Sequence, residues 1–195
     1  MKTPINQERW EKAQKGEKEF HEMEPLDMSI IHYETAYGHY FDYLNISQSL
    51  NGKSVIEIGP GRVAALLFCV NYSKAYVLEP TVYSGVDHLY DRKGIEVVRK
   101  LAEDWDFPKV DEVWLLNLMQ HVKDPDLLIN KCKDAAGTIR FFEPVDLPTD
   151  NEHPFTFSMD DFRTYFGDCV KEYAPNQGIK GFHGARCAYG VWTKG

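Results

Sequence analysis

The chain has 195 residues, 43% hydrophobic and 27% charged, a balance that fits one globular domain and excludes a disordered or fibrous chain. Acids outnumber bases 30 to 22, for a net charge of −8, which sets the surface against a nucleic-acid partner. The longest apolar run, Val63 to Val70, is too short to span a bilayer, and no signal-peptide core follows Met1, so a cytoplasmic protein with no membrane contact is expected.

A single domain is expected over 1–195, with a helical lid over 1–50 and an α/β core over 51–195. Thr3-Pro4 reads as a helix N-cap and first-turn proline, and "INQERWEKAQKGEKEFHEM" as the helix, with Trp10, Ala13, Phe20 and Met23 on its apolar side. Gly16 weakens that helix locally and Pro25 ends it. A second helix, "MSIIHYETAYGHYFDYL", aligns Tyr33, Tyr37, Tyr40, Phe41 and Leu44 at spacings of three and four. Asn51-Gly52 then turns the chain into the strand "SVIEI".

From there strands and helices alternate. "VAALLFCVNY" reads as a helix, "KAYVLE" as a strand, "TVYSGVDHLYD" as a loop or short helix, and "GIEVVRKLAED" contains another strand. "VDEVWLLNLM" is a strand too apolar to face water on either side. "PDLLINKCKDAA" is a helix closed by Gly137, and "TIRFFEPV" is the next strand. In the tail, "SMDDFRTYFG" is a helix with Ser158 and Asp161 at capping-box spacing, and "CVKEYA" and "RCAYGVWTK" are two strands of a closing hairpin. The pattern predicts an α/β, doubly wound, seven-stranded and mostly parallel sheet with an antiparallel C-terminal hairpin and an N-terminal helical lid. Cys69, Cys132, Cys169 and Cys187 form no CxxC pair and have no histidine at metal spacing, which predicts free thiols and no metal site.

The chemistry centres on "VIEIGPG", residues 55 to 61. No GxxxxGK[ST] phosphate loop is present. Gly59-Pro60-Gly61-Arg62-Val63-Ala64 does satisfy the dinucleotide pattern GxGxx[GA], with Glu79 eighteen residues beyond Gly61, so a nicotinamide-dependent oxidoreductase is one reading. Glu57 opposes it, because a carboxylate beside the turn repels a pyrophosphate. A ligand bearing an ammonium and a sulfonium is attracted instead. Glu79 closes the strand "YVLEP", where a carboxylate can take both hydroxyls of a ribose.

Four segments, "VIEIGPG", "YVLEP", "AEDWDFP" and "NLMQHVKDP", stand in the order found in the class I S-adenosylmethionine-dependent methyltransferases, and residues 53 to 165 resemble that family. The resemblance implies S-adenosyl-L-methionine as cofactor. It implies that Glu57, Ile58, Gly59, Pro60 and Gly61 border the methionine side, and that Glu79 and Pro80 border the ribose. Glu103 and the Asp104 backbone would meet the adenine, and Asn117 the methionine part. Val63 departs from the family pattern, which often has a third glycine there. The implied function is methyl transfer to a small-molecule acceptor, a sugar or another metabolite. A non-catalytic cofactor-binding or partner domain is the further alternative. His121 and His153 are the candidate bases, because imidazole titrates near neutral pH. His32, Tyr33 and Tyr37 of the second helix are candidate acceptor contacts. Oligomeric state is not legible in the sequence.

Overall fold

A computed structural model describes residues 2–23, 48–173 and 185–195. Strands β1 (Gln48–Ser49), β2 (Ser54–Ile58), β3 (Cys69–Val70), β4 (Lys74–Leu78), β5 (Ile95–Val98), β6 (Val110–Leu116), β7 (Ala136–Pro144), β8 (Lys171–Tyr173) and β9 (Cys187–Thr193) alternate with α1 (Gln7–Met23), α2 (Asp87–Lys93), α3 (Pro125–Ala135) and α4 (Met159–Phe166). Seven strands form one sheet in the order β5-β4-β2-β6-β7-β9-β8, and β1 and β3 make a separate two-stranded pair. The pairs β2/β4, β2/β6, β4/β5 and β6/β7 are parallel, while β9 runs antiparallel to both β7 and β8. The expected mostly parallel sheet with an antiparallel C-terminal hairpin is therefore what the chain forms.

Local chemistry explains several elements. Asn51 and Gly52 both take positive φ, 53° and 78°, as a tight turn into β2 requires. The Ser158 hydroxyl accepts from the Asp161 amide and the Asp161 carboxylate accepts from the Ser158 amide, the reciprocal cap expected for α4. Helix α3 starts at Asp124, whose carboxylate accepts from the Leu127 amide, with Pro125 in the first turn. One sheet face is covered by α3 and α4, through Leu128, Ile129, Cys132, Phe162 and Phe166 against Val113, Leu115, Ile139 and Phe141. On the other face Ala65, Leu66, Val86 and Tyr90 pack with Val55, Val77, Trp114 and Phe142.

Four expectations need correction. The segment after the glycine turn is not an α-helix. Ala65–Phe68 makes one 3-10 turn, and Cys69–Val70 is a short strand paired with Gln48–Ser49. The run is apolar on every side and so lacks the polar face of a surface helix. Helix α1 starts later than Thr3-Pro4, because the Asn6 side chain accepts from the Arg9 amide and its carbonyl from the Trp10 amide. Of its expected apolar side only Ala13 is buried, with Phe20 47% and Met23 78% exposed. Finally, α3 ends at Ala136 in extended backbone, so Gly137 lies inside β7 rather than capping the helix. The second expected helix, with His32, Tyr33 and Tyr37, lies outside the described residues.

Candidate functional site

Strand order reverses at β2, since β4 and β5 lie on one side and β6 and β7 on the other. In such sheets a crevice opens at the carboxyl ends of the central strands. A cleft does lie there, lined by Ile58, Gly59, Pro60 and Gly61 after β2, by Leu78, Glu79 and Pro80 at the end of β4, and by Leu101, Ala102 and Glu103 after β5. Leu116, Asn117, Leu118, His121 and Val122 close it from β6, Tyr83 from the β4–α2 loop, and Trp10, Gln14, Glu17 and His21 from α1.

The glycines are needed for space as well as for conformation. Gly59 and Gly61 have φ of +59° and +67°, and a Cβ on Gly59 would lie 2.2 Å from Leu118 Cδ1. Glu79, 5% exposed, accepts from the Gly61 amide at 3.1 Å and from the Thr81 amide at 2.9 Å. Burial pushes its pKa up to about 7 against those hydrogen bonds. Glu103 accepts from the Lys123 and Asp124 amides, both at 2.8 Å, and so ties the loop after β5 to the loop after β6. Asn117, at φ +57°, is held by its own amide donating to the Phe142 carbonyl.

Two expected cofactor residues do not reach the cleft. Glu57 is fully buried, and its two oxygens accept from the Ala65 and Leu66 amides at 2.8 Å each. The Ala64 amide donates to the Tyr90 hydroxyl at 3.1 Å. Glu57 thus braces the backbone beyond the turn. Asp104 is exposed and outside the lining, and its amide donates to the Leu101 carbonyl at 3.1 Å. Glu143 does for the loop after β6 what Glu57 does after β2. Fully buried, it accepts from the Leu118 and Met119 amides, and burial pushes its pKa up to about 8.

The two histidines expected as bases do come together, their ring centroids 4.8 Å apart. Their surroundings differ. Burial pushes His121 down to about 3, so its ring is neutral near pH 7 and only a weak proton acceptor. His153 lies outside the cleft lining, and its Nδ1 is 2.9 Å from both Asp150 oxygens.

Sequence reading missed the face of α1 that matters. Trp10, Gln14, Glu17 and His21 step along the helix by four, three and four, and all four line the cleft. Trp10 Nε1 and Gln14 Nε2 donate to the His121 carbonyl at 3.1 and 3.3 Å. Glu17 Oε1 lies 3.4 Å from His121 Nδ1, and Oε2 lies 3.5 Å from His21 Nε2. Burial pushes Glu17 up to about 7, with His153 pulling the other way. The signal was that helical spacing: Trp10 was read with the apolar side, and Gln14, Glu17 and His21, which share its face, were overlooked.

The cleft has three carboxylates, Glu17, Glu79 and Glu103, and no lysine or arginine among its described lining residues. These acids suit a cationic ligand, which would favour the ionised forms of Glu17 and Glu79, and oppose a pyrophosphate. The turn itself opposes one too, because no α-helix N-terminus follows it and the amides of residues 64 to 66 are already taken.

No family model and no curated protein matches the sequence. Solved structures do. The N-methyltransferase NodS of Bradyrhizobium japonicum WM9, in complex with S-adenosyl-L-homocysteine, aligns with a TM-score of 0.65 at 11% identity over 94% of this chain and 98% of that one. Phosphoethanolamine N-methyltransferase 1 of Haemonchus contortus, in complex with phosphoethanolamine and S-adenosylhomocysteine, aligns at 0.61 and 12% identity over 97% of this chain and 50% of that one. A putative methyltransferase solved with the Trm112 activator of Haloferax volcanii aligns at 0.57 and 16% identity over 97% of this chain and 100% of that one. The chain has the fold of the class I S-adenosylmethionine-dependent methyltransferases.

Proposed function

We propose that this protein is a cytoplasmic methyltransferase that uses S-adenosyl-L-methionine to methylate a small-molecule acceptor. The observation that carries the reading is the acid-lined cleft with no basic residue among its described lining residues, set at the strand-order reversal. Its acids suit a sulfonium and an ammonium, where a dinucleotide would need cover for its phosphates.

Bound cofactor supplies a methyl group on a sulfonium. The chain's own residues hold it and align the acceptor. Glu79 is placed to accept from ribose hydroxyls, which requires its present bond to Gly61 or Thr81 to be shared or released. Leu101, Ala102 and Val122 offer apolar wall to a base ring, with Glu103 beside them. Gly59, Pro60, Gly61 and Asn117 form the floor near the amino-acid end. From α1, Trp10, Gln14 and Glu17 line the cleft beside these residues and would help to position the acceptor. Net charge of −8 supports a small acceptor over a nucleic acid. Four free thiols, three of them buried, fit a reducing compartment.

Calorimetry tests the reading. S-adenosylmethionine and S-adenosylhomocysteine should bind with one site, and NAD should not bind. Tight NAD binding with no response to the adenosyl ligands overturns it.

A further inference from the structure

Three distant parts of the chain meet at one end of the cleft. Glu17 comes from α1, His121 from the loop after β6, and His153 from the loop after β7. One carboxylate oxygen of Glu17 and one ring nitrogen of each histidine lie within 4.8 Å of one another. We propose that Glu17, His121 and His153 bind a single divalent transition-metal ion of the zinc and cobalt class.

The donor set is the first ground. Two imidazoles and one carboxylate suit zinc and its neighbours in the first row, whereas magnesium and calcium prefer oxygen alone. The spacing is the second. Ligands about 2.0–2.1 Å from zinc and at tetrahedral angles lie roughly 3.4 Å apart. Glu17 Oε1 and His121 Nδ1 stand at 3.4 Å. A ring nitrogen of His153 lies within 4.8 Å of both.

The third ground is an orphan. His121 Nδ1 is buried and has no hydrogen-bond partner. A buried imidazole lone pair without a partner costs stability, and an ion at this point would take it up.

The support for one histidine is already in place. Asp150 receives His153 Nδ1 at 2.9 Å, which leaves the lone pair on Nε2. The Asp150 carboxylate is itself oriented by the Glu152 and His153 amides, at 2.9 and 2.7 Å. His121 Nδ1, buried and without a hydrogen-bond partner, is the nitrogen on the Glu17 side. Carboxylate or carbonyl partners of this kind orient metal-bound histidines.

The loop carrying His153 is also fixed against α1. Arg9 donates to the Asn151 and Asp150 carbonyls at 2.6 and 2.5 Å. Gly16 allows the close approach, because a Cβ there would lie 2.6 Å from Glu152 Oε1. Glu17 and His121 line the cleft, so the ion's remaining positions face the space where an oxygen or nitrogen of a small molecule can enter.

The test uses metal alone and is independent of the cofactor reading. Chelator-stripped protein is titrated with Zn²⁺ by calorimetry and with Co²⁺ by visible absorption. One equivalent should bind with Kd below about 1 µM, and Co²⁺ should give the intense bands of a low-coordinate site. Glu17→Gln and His153→Ala should each weaken Zn²⁺ binding at least tenfold, and Asp150→Asn by about 10–100-fold. His88→Ala, on the exposed face of α2, should leave it unchanged. Thermal melts check that each variant is folded, and Glu17→Gln, which keeps the shape, decides the matter should His153→Ala unfold. Absence of a stoichiometric site, or Zn²⁺ binding untouched by Glu17→Gln and Asp150→Asn, overturns the proposal and assigns any metal to thiols or surface histidines.

Discussion

His21 rests directly on Gly61: a Cβ added to the glycine would lie 2.6 Å from the imidazole Nε2. The contact joins α1 to the turn that opens the cleft, and Glu17, one helical turn earlier, faces the same histidine at 3.5 Å. The N-terminal helix is thus part of the site and not an appendage to it.

Gly61→Ala should therefore destabilise the fold by about 1–3 kcal/mol, from its φ of +67° and from the clash with His21. Adding His21→Ala removes the clash and keeps the backbone cost. A urea-denaturation cycle should show the glycine substitution costing less in the His21→Ala background. Equal costs in both backgrounds would mean that the two residues are not in contact.

Glu57→Ala leaves the Ala65 and Leu66 amides buried without an acceptor. Each unsatisfied group costs roughly 1–3 kcal/mol, so the variant should lose about 2–5 kcal/mol of stability. Glu57→Gln keeps one acceptor oxygen and should lose less. Chemical denaturation of the three proteins checks the order. A Glu57→Ala protein as stable as its parent would return the residue to a ligand-facing role.

Glu79→Ala should lower affinity for S-adenosylhomocysteine by roughly 30-fold or more, through loss of charge-assisted hydrogen bonds worth about 2–4 kcal/mol. The same carboxylate holds the Gly61 and Thr81 amides, so some stability goes with it. Calorimetry on folded protein separates the two effects. Undiminished affinity would leave Glu79 a purely structural brace.

Stability should fall as pH rises from about 5 towards 8. Burial raises Glu143 from an ordinary 4.5 to about 8 and Glu57 to about 7, so the folded chain holds protons that the unfolded chain has released. Their contribution is complete below about 4.5 and is lost as pH passes the folded values. Urea midpoints across that range measure the slope, and Glu143→Gln should flatten it. A midpoint that rises with pH would show that the backbone amides, not burial, govern these acids.

Much of the fold was legible because it obeys short-range rules. Alternation of strand and helix, the Asn51-Gly52 turn, the Ser158–Asp161 cap and the acid at the end of β4 each follow from the chemistry of a few neighbouring residues. Cleft position follows too, once β2 is recognised as the strand where the order reverses.

Tertiary structure decided the rest, because burial and partners come from residues far apart in the chain. Glu57 reads as a ligand acid until the fold brings the Ala65 and Leu66 amides to it. His121 reads as a neutral-pH base until burial holds it near 3. The apolar side of α1 reads as its buried side, yet Trp10 faces the cleft together with the polar Gln14, Glu17 and His21, because the loop after β6 offers a carbonyl and a histidine to them. No spacing rule links Glu17 to His121 and His153, more than a hundred residues away. They share a site because the sheet returns its strand ends to one edge and Arg9 fastens the last loop there.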